Sequence, residues 1–355
     1  MRAKISFLAI TILLTLSLSA AAAQEGRVRL TFDTSEADQV LAILALRQAG
    51  SPVDDAQWQK LFATEPYQRL KVREKKIAER FNDPRNILTD EDMKKFVMSD
   101  ELLARASALR STLERWKKAD LQRAAKGVLQ YLPASAVIRA KVFPMIKPNT
   151  NSFVWEASTD PAIFLYLDPD ISAAKFTNTV VHELHHIGLA SAQAEYDQRI
   201  QTLPELAQSV ANWIAAFGEG QAMLAAAGGP DVDPHAASDA KERARWEHDL
   251  ANFDHDLPAV NAFFLDVLNG KFPNQGAITE KGSSFYGTQG PWYTVGYKMA
   301  VMVEKRFGRK ALIQTMLDPR RLLVLYNQAA AEQNARGHEQ LPLWSEEILK
   351  QTRAN

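Results

Sequence analysis

The sequence predicts an α+β chain, predominantly helical, with one small sheet placed directly before its most informative helix. Three observations carry that expectation. Signals from Thr34 to about Leu132 are helical almost throughout, and residues 136–167 hold three short runs rich in Val, Ile, Phe, Trp and Tyr. The stretch Val180–Gly188 then combines a helical apolar period with the pattern H-E-x-x-H at His182, Glu183 and His186.

In order from the start, Arg2 and Lys4 precede an apolar run from Ile5 to Leu18, which ends in Ser19 and the small residues Ala20 to Ala23. A short positive region, an apolar core too short to span a bilayer comfortably and an A-x-A ending predict a secretory signal over residues 1–23, cleaved after Ala23. The product is expected to be secreted or periplasmic, without stable membrane insertion. The chain contains no cysteine, which excludes disulfides, thiolate metal ligands and a lipid anchor on an N-terminal cysteine. Without Arg2 and Lys4 the chain carries 40 basic and 42 acidic residues, a balance that points to no nucleic-acid partner.

Residues 24–132 are expected to form a helical N-terminal region. Ser35 and Asp38 are placed to cap a helix whose apolar face is Val40, Leu41, Ile43, Leu44 and Leu46, closed by Gly50. Thr89 with Asp92, then Ser99 or Asp100, start two more, the longer carrying Leu102, Leu103, Ala106, Leu109 and Leu113. After Pro133 the texture changes, and residues 133–355 are expected to form the domain that carries the motif. Ala136–Phe143, Ser152–Glu156 and Ala162–Leu167 read as strands, separated by Pro144, Pro148-Asn149 and Asp160-Pro161. An exposed edge of such a sheet can accept an extended peptide as one more strand.

Asp168-Pro169-Asp170 and Ser172 open the motif helix, whose buried stripe is Phe176, Val180, Leu184 and Ile187. His182 and His186 lie one turn apart on the far side of that stripe, where two imidazoles can hold one metal ion with Glu183 facing the water on it. Only seven histidines occur in 355 residues, and three fall within this stretch. His185 is turned away from the pair and reads as a structural histidine or as an outer partner that fixes a ligand. Zinc with an open coordination position takes three protein ligands, so a third is required. Position 192 is alanine, which removes the metzincin pattern.

The motif helix is expected to run on to about Ile200. A capping box at Thr202-Leu203-Pro204-Glu205 then starts a second helix, from Leu203 to Gly228-Gly229-Pro230. With the turn near residue 201, His186 and Glu219 climb to within about 3 Å of the same level at 1.5 Å per residue. Glu219 sits between Gly218 and Gly220, each of which costs about 1 kcal/mol in mid-helix, a cost that close helix contact or a metal ligand would justify. Glu195 is too far along the first helix, while Asp231, Asp233 and His235 remain alternatives.

His182-Glu183-x-x-His186 followed by Glu219 in a Glu-Gly-x-Ala context resembles the gluzincin group of zinc metallopeptidases. The layout is also similar to secreted bacterial families of zinc-dependent peptidases. The resemblance implies a zincin-like fold, one Zn²⁺ on His182, His186 and Glu219, Glu183 as general base and a peptide or protein as substrate. Two departures stand out. The interval from His186 to Glu219 is longer than in thermolysin-like enzymes, and Met223 stands where many gluzincins have an acidic residue. A non-catalytic zinc protein, or an amidase acting on cell-wall material, are the alternatives.

Downstream, two helices are expected around Ala240–Leu250 and Pro258–Leu268, with His248 and His255 in surface roles. A glycine-rich loop of some twenty residues follows from Gly270 to Pro291. The next helix begins at Pro291 and carries Tyr293 and Tyr297, one turn apart, candidates to stabilise an oxyanion. Ala311–Met316 and Arg320–Ala331 read as packing helices.

Overall fold

The structure is a computed structural model describing residues 26–81, 87–337 and 340–353. The expected export signal over residues 1–23 lies outside them. The chain divides into two compact units, the first running to Lys126 and including Ile138–Glu183, the second comprising Gly127–Val137 and residues from Leu184 on.

The first unit is a four-stranded sheet with helices. Strand β1 (Val28–Phe32) is followed by α1 (Ser35–Gln48), α2 (Asp55–Phe62), α3 (Glu65–Phe81), α4 (Asp90–Val97), α5 (Asp100–Trp116) and α6 (Leu121–Val128). Then come β2 (Ile138–Met145), β3 (Phe153–Trp155) and β4 (Ala162–Tyr166). The sheet order is β1-β2-β4-β3, with β1, β2 and β4 parallel and β3 antiparallel to β4. Strand β1 lies in the segment expected to be helical, and its residues Val28–Phe32 pair with Ile138–Val142. Every residue of β4 is buried, the run of apolar residues typical of a strand covered on both faces. Strand β2 continues through Pro144, which sequence alone treats as a breaker. Pairing with β1 ends at Phe32–Val142, so beyond that point β2 needs no ladder donor on that side.

Helix starts in this unit follow local chemistry. Thr89 and Asp92 form the reciprocal capping box, and Ser99 accepts from Leu102 N. Ser35 is instead the first residue of α1; Thr34 donates to Asp38 Oδ2 at 2.6 Å.

The second unit is helical. The motif helix α7 (Ala173–Ala190) begins in the first unit and ends in this one. It is followed by α8 (Ala194–Ile200), α9 (Glu205–Ile214), a 3₁₀ turn at Ala215–Phe217 and α10 (Gly218–Ala227). The two long arms expected here are therefore interrupted. Ser191 Oγ donates to Gly188 O at 2.6 Å where α7 stops, and Thr202 donates to Arg199 O rather than capping the next helix, which starts after Pro204 with no side-chain cap. Tyr196 Oη donates to Ala211 O at 2.8 Å, tying α8 to α9.

Then come α11 (Ala240–Ala251), α12 (Phe253–Leu268), α13 (Gln275–Ser284), α14 (Pro291–Phe307), α15 (Arg309–Leu317), α16 (Arg320–Ala335) and α17 (Glu346–Gln351). Helix α13 occupies the stretch expected to be a loop. Its glycines suggest a loop, yet Gly282 is a packing residue, since a Cβ there would lie 2.4 Å from the Trp213 ring. Trp213 stacks on Trp292, and Phe217, Phe264 and Trp344 complete an aromatic core beneath α9, α10, α12 and α14.

Candidate metal centre

Helix α7 presents the motif as its period requires. Val180 and Leu184 are fully buried and Ile187 nearly so, whereas His182, Glu183 and His186 are partly exposed. Ser172 Oγ accepts from Lys175 N at 3.1 Å and starts the helix. Phe176 stacks on Trp116 with ring centres 4.2 Å apart, which fixes the first turns of the helix in the first unit. His185 is fully buried, its ring edge-on to His186 with centres 6.2 Å apart, so it packs inward behind the exposed pair.

Glu219 returns beside this helix. Its Oε2 lies 3.2 Å from His186 Nε2, and both side chains are partly exposed. One ligand atom each from His182, His186 and Glu219 lie within 4.8 Å of one another, a group able to hold a metal ion. The donors fit zinc. Two imidazole nitrogens and a carboxylate oxygen make a three-ligand set, and donors about 2.0–2.1 Å from a tetrahedral ion stand roughly 3.3 Å apart, close to the His186–Glu219 separation.

The glycines around Glu219 have separate explanations. Gly220 marks a close crossing of α10 with α14: a Cβ there would lie 2.0 Å from Tyr297 N and 2.6 Å from Tyr293 O. Gly296 is its counterpart, where a Cβ would meet Phe217 O at 2.7 Å. Backbone contact without side chains between them fixes the height and rotation of α10, hence the direction of Glu219. Gly218 has no such constraint, its nearest neighbour being Leu189 at 4.0 Å.

The other sequence candidates have surroundings of their own. Asp231 pairs with Lys305 at 2.6 Å and is largely exposed, while His235 packs against Trp246, ring centres 4.9 Å apart. Tyr297 is buried, its ring edge-on to Trp246 and its hydroxyl 3.4 Å from Val232 O. It anchors the 229–239 segment to α14. Tyr293 is partly exposed, and its backbone lies at the Gly220 crossing. His255 is largely exposed beside Asp256.

One residue near the centre gave no signal at the level of spacing. Tyr286 lies between α13 and α14, its ring 6.5 Å from that of Tyr293, and burial together with the charge of Glu219 pushes its phenol up to about 12. Only its place in the glycine-rich stretch before α14 hinted at it.

No curated protein and no solved structure gives a significant match to the chain. A family described as "Putative zinc dependent peptidase (DUF5700)" matches residues 58–335, over three quarters of the sequence. That span takes in β2–β4, the motif helix, Glu219 and all of α14. A group able to hold a metal therefore lies inside a match to a family described as zinc dependent, and the chain belongs to that family.

Proposed function

We propose that the chain is an exported zinc metallopeptidase of the gluzincin type on a zincin-like frame, with Zn²⁺ held by His182, His186 and Glu219. The observation that carries this reading is the convergence of those three side chains, with Glu219 coming 33 positions after His186, on a partly exposed spot. When bound, Zn²⁺ supplies Lewis acidity, polarising a carbonyl and bringing the pKa of water toward 7. Glu183 takes a proton from the attacking water and delivers it to the amine nitrogen as the C–N bond breaks. A purely structural zinc site has no use for Glu183 between its two histidines, which favours hydrolysis over a storage or scaffold role.

The substrate is a peptide or protein. Strand β3 supports this, being antiparallel, partly exposed and paired among the described residues only with β4, so an extended chain can add along its outer edge. Glu156, with φ 55°, ends that strand in the left-handed region and limits the added ladder to a few residues.

Cleavage of a peptide library by the zinc-loaded protein and its Glu183→Gln variant tests the reading. The variant is expected to retain zinc and to lose at least about 100-fold in rate, the usual contribution of a general base. Equal cleavage by both proteins would remove Glu183 from the chemistry, and zinc binding without any cleavage by wild type would favour the non-catalytic alternative.

A further inference from the structure

Glycine weakens a helix interior relative to alanine, so it belongs there only where the backbone needs a positive φ or where space is required. Gly220 of α10 and Gly296 of α14 have no positive φ, so space is what both supply. A Cβ on Gly296 would lie 2.7 Å from Phe217 O, 3.2 Å from Phe217 Cα and 3.3 Å from Gly220 Cα. A Cβ on Gly220 would lie 2.6 Å from Tyr293 O and would overlap Tyr297 N and Gly296 C. The two main chains are in van der Waals contact, and main-chain atoms have no alternative rotamer with which to give way.

One partner in this joint is held from several sides. Trp292, fully buried near the start of α14, stacks on Trp213 with ring centres 5.6 Å apart and donates from Nε1 to Gly282 O at 2.8 Å. Farther along, Trp344 Nε1 donates to Met299 Sδ at 3.1 Å, and Val295, Met299, Ala300 and Val303 are fully buried. The other partner, α10, is only ten residues long and carries Glu219 directly before Gly220. Neighbouring Cα atoms are about 3.8 Å apart, so a displacement of α10 at the joint reaches Glu219 almost undiminished.

The metal centre has little room for such a displacement. His186 Nε2 and Glu219 Oε2 stand 3.2 Å apart, already near the spacing of two donors on one tetrahedral zinc. Ligand sets work when held within about 0.5 Å of their productive geometry. Gly218, on the other side of Glu219, is the internal contrast, since the nearest atom to a Cβ there is Leu189 Cδ2 at 4.0 Å.

We infer that Gly220 and Gly296 are positioning residues for zinc: they set the affinity of the centre through Glu219, from a joint that contributes no ligand atom. This assignment rests on the part of the proposed function that makes Glu219 a zinc ligand, and not on peptide hydrolysis.

The test measures zinc affinity by chelator competition for wild type, Gly296→Ala, Gly218→Ala, Glu219→Ala and the double variant Gly296→Ala/Glu219→Ala, with folding checked by circular dichroism. Gly296→Ala is expected to bind zinc roughly 10- to 100-fold more weakly than wild type, as when an outer partner of a ligand is lost, and Gly218→Ala is expected to match wild type. In the Glu219→Ala background the Gly296→Ala change is expected to cost less than about twofold, because the side chain it acts through is gone. An equal loss in both backgrounds would overturn the assignment, leaving Gly296 a merely structural residue, and so would wild-type affinity in Gly296→Ala. Glu219→Asp reads the same rigidity with the crossing untouched. Its carboxylate is one methylene shorter, so on a fixed α10 its affinity is expected to fall about as far as that of Glu219→Ala, whereas near-wild-type affinity would show α10 free to move and overturn the assignment. Unchanged affinity in Glu219→Ala would overturn the ligand set and this assignment together. The expected coupling between positions 296 and 219 in a protein that cleaves no peptide would uphold the positioning role and overturn the peptidase reading instead.

Discussion

Two clusters of ionisable side chains, one in the sheet unit and one at the motif helix, look alike in composition and differ in what surrounds them. In the first, Glu36 of α1 is wholly buried and accepts from Ile146 N at 3.0 Å, while Lys147, 1% exposed, donates to Asn149 O and to Asn151 Oδ1 at 2.8 Å. Glu74 is buried nearby and is paired to Arg73 at 2.7 Å, whose guanidinium covers Phe153 of β3. Here the polar atoms are spent on the connection from β2 to β3. In the second, His182, His186 and Glu219 turn their ligand atoms toward one another and remain partly open to solvent. In the first cluster burial pushes Glu36 up to about 8 and Lys147 down to about 8. A shifted pKa thus marks burial here, whereas convergent lone pairs with access to solvent mark the metal centre.

The contrast is sharpened first by Lys147→Met. Removing the buried cation leaves Glu36 and Glu74 without it and strips Asn149 O and Asn151 of their donor. Chemical denaturation is expected to show a loss of about 1–3 kcal/mol, the cost of buried acceptors left without their donor, with zinc content unchanged. Loss of zinc with little loss of stability would erase the distinction between the clusters.

A smaller effect is expected from pH. The folded protein holds a proton on Glu36 that the unfolded chain releases above about 4.5, so this group's contribution to stability falls as pH rises from about 4.5 to about 8 and is level above that. Lys147, lowered from 10.5 to about 8, has the opposite sign, and its contribution recovers between about pH 8 and 10.5. The pair therefore places its least favourable point near pH 8. Glu36→Gln keeps an acceptor for Ile146 N and removes the falling limb, so its Tm relative to wild type is expected to rise between pH 5 and pH 8. A difference independent of pH in thermal melts would contradict this account.

Much of the centre was legible because helical geometry is local and regular. Residues 182, 183 and 186 share a patch by period alone, and counting rise on either side of a turn near residue 201 put Glu219 level with His186. The two residues do meet, His186 Nε2 lying 3.2 Å from Glu219 Oε2, although the helices between them break at residues 191–193 and 215–217. Strand β1 was not legible. Its partner lies about 110 residues away, and a parallel pairing across a helical crossover leaves no local pattern. Helix α13 was hidden for a different reason: Gly276 and Gly282 read as loop punctuation, although Gly282 is required by the Trp213 ring above it.

The most direct measurement is zinc affinity by chelator competition for wild type, His186→Ala and Glu219→Ala. Binding of one zinc per chain is expected in wild type, with a loss of more than about 100-fold in each variant, beyond the cost of losing an outer partner of a ligand. Unchanged affinity in Glu219→Ala would contradict the account, because Glu219 would then be a neighbour of His186 and not a ligand.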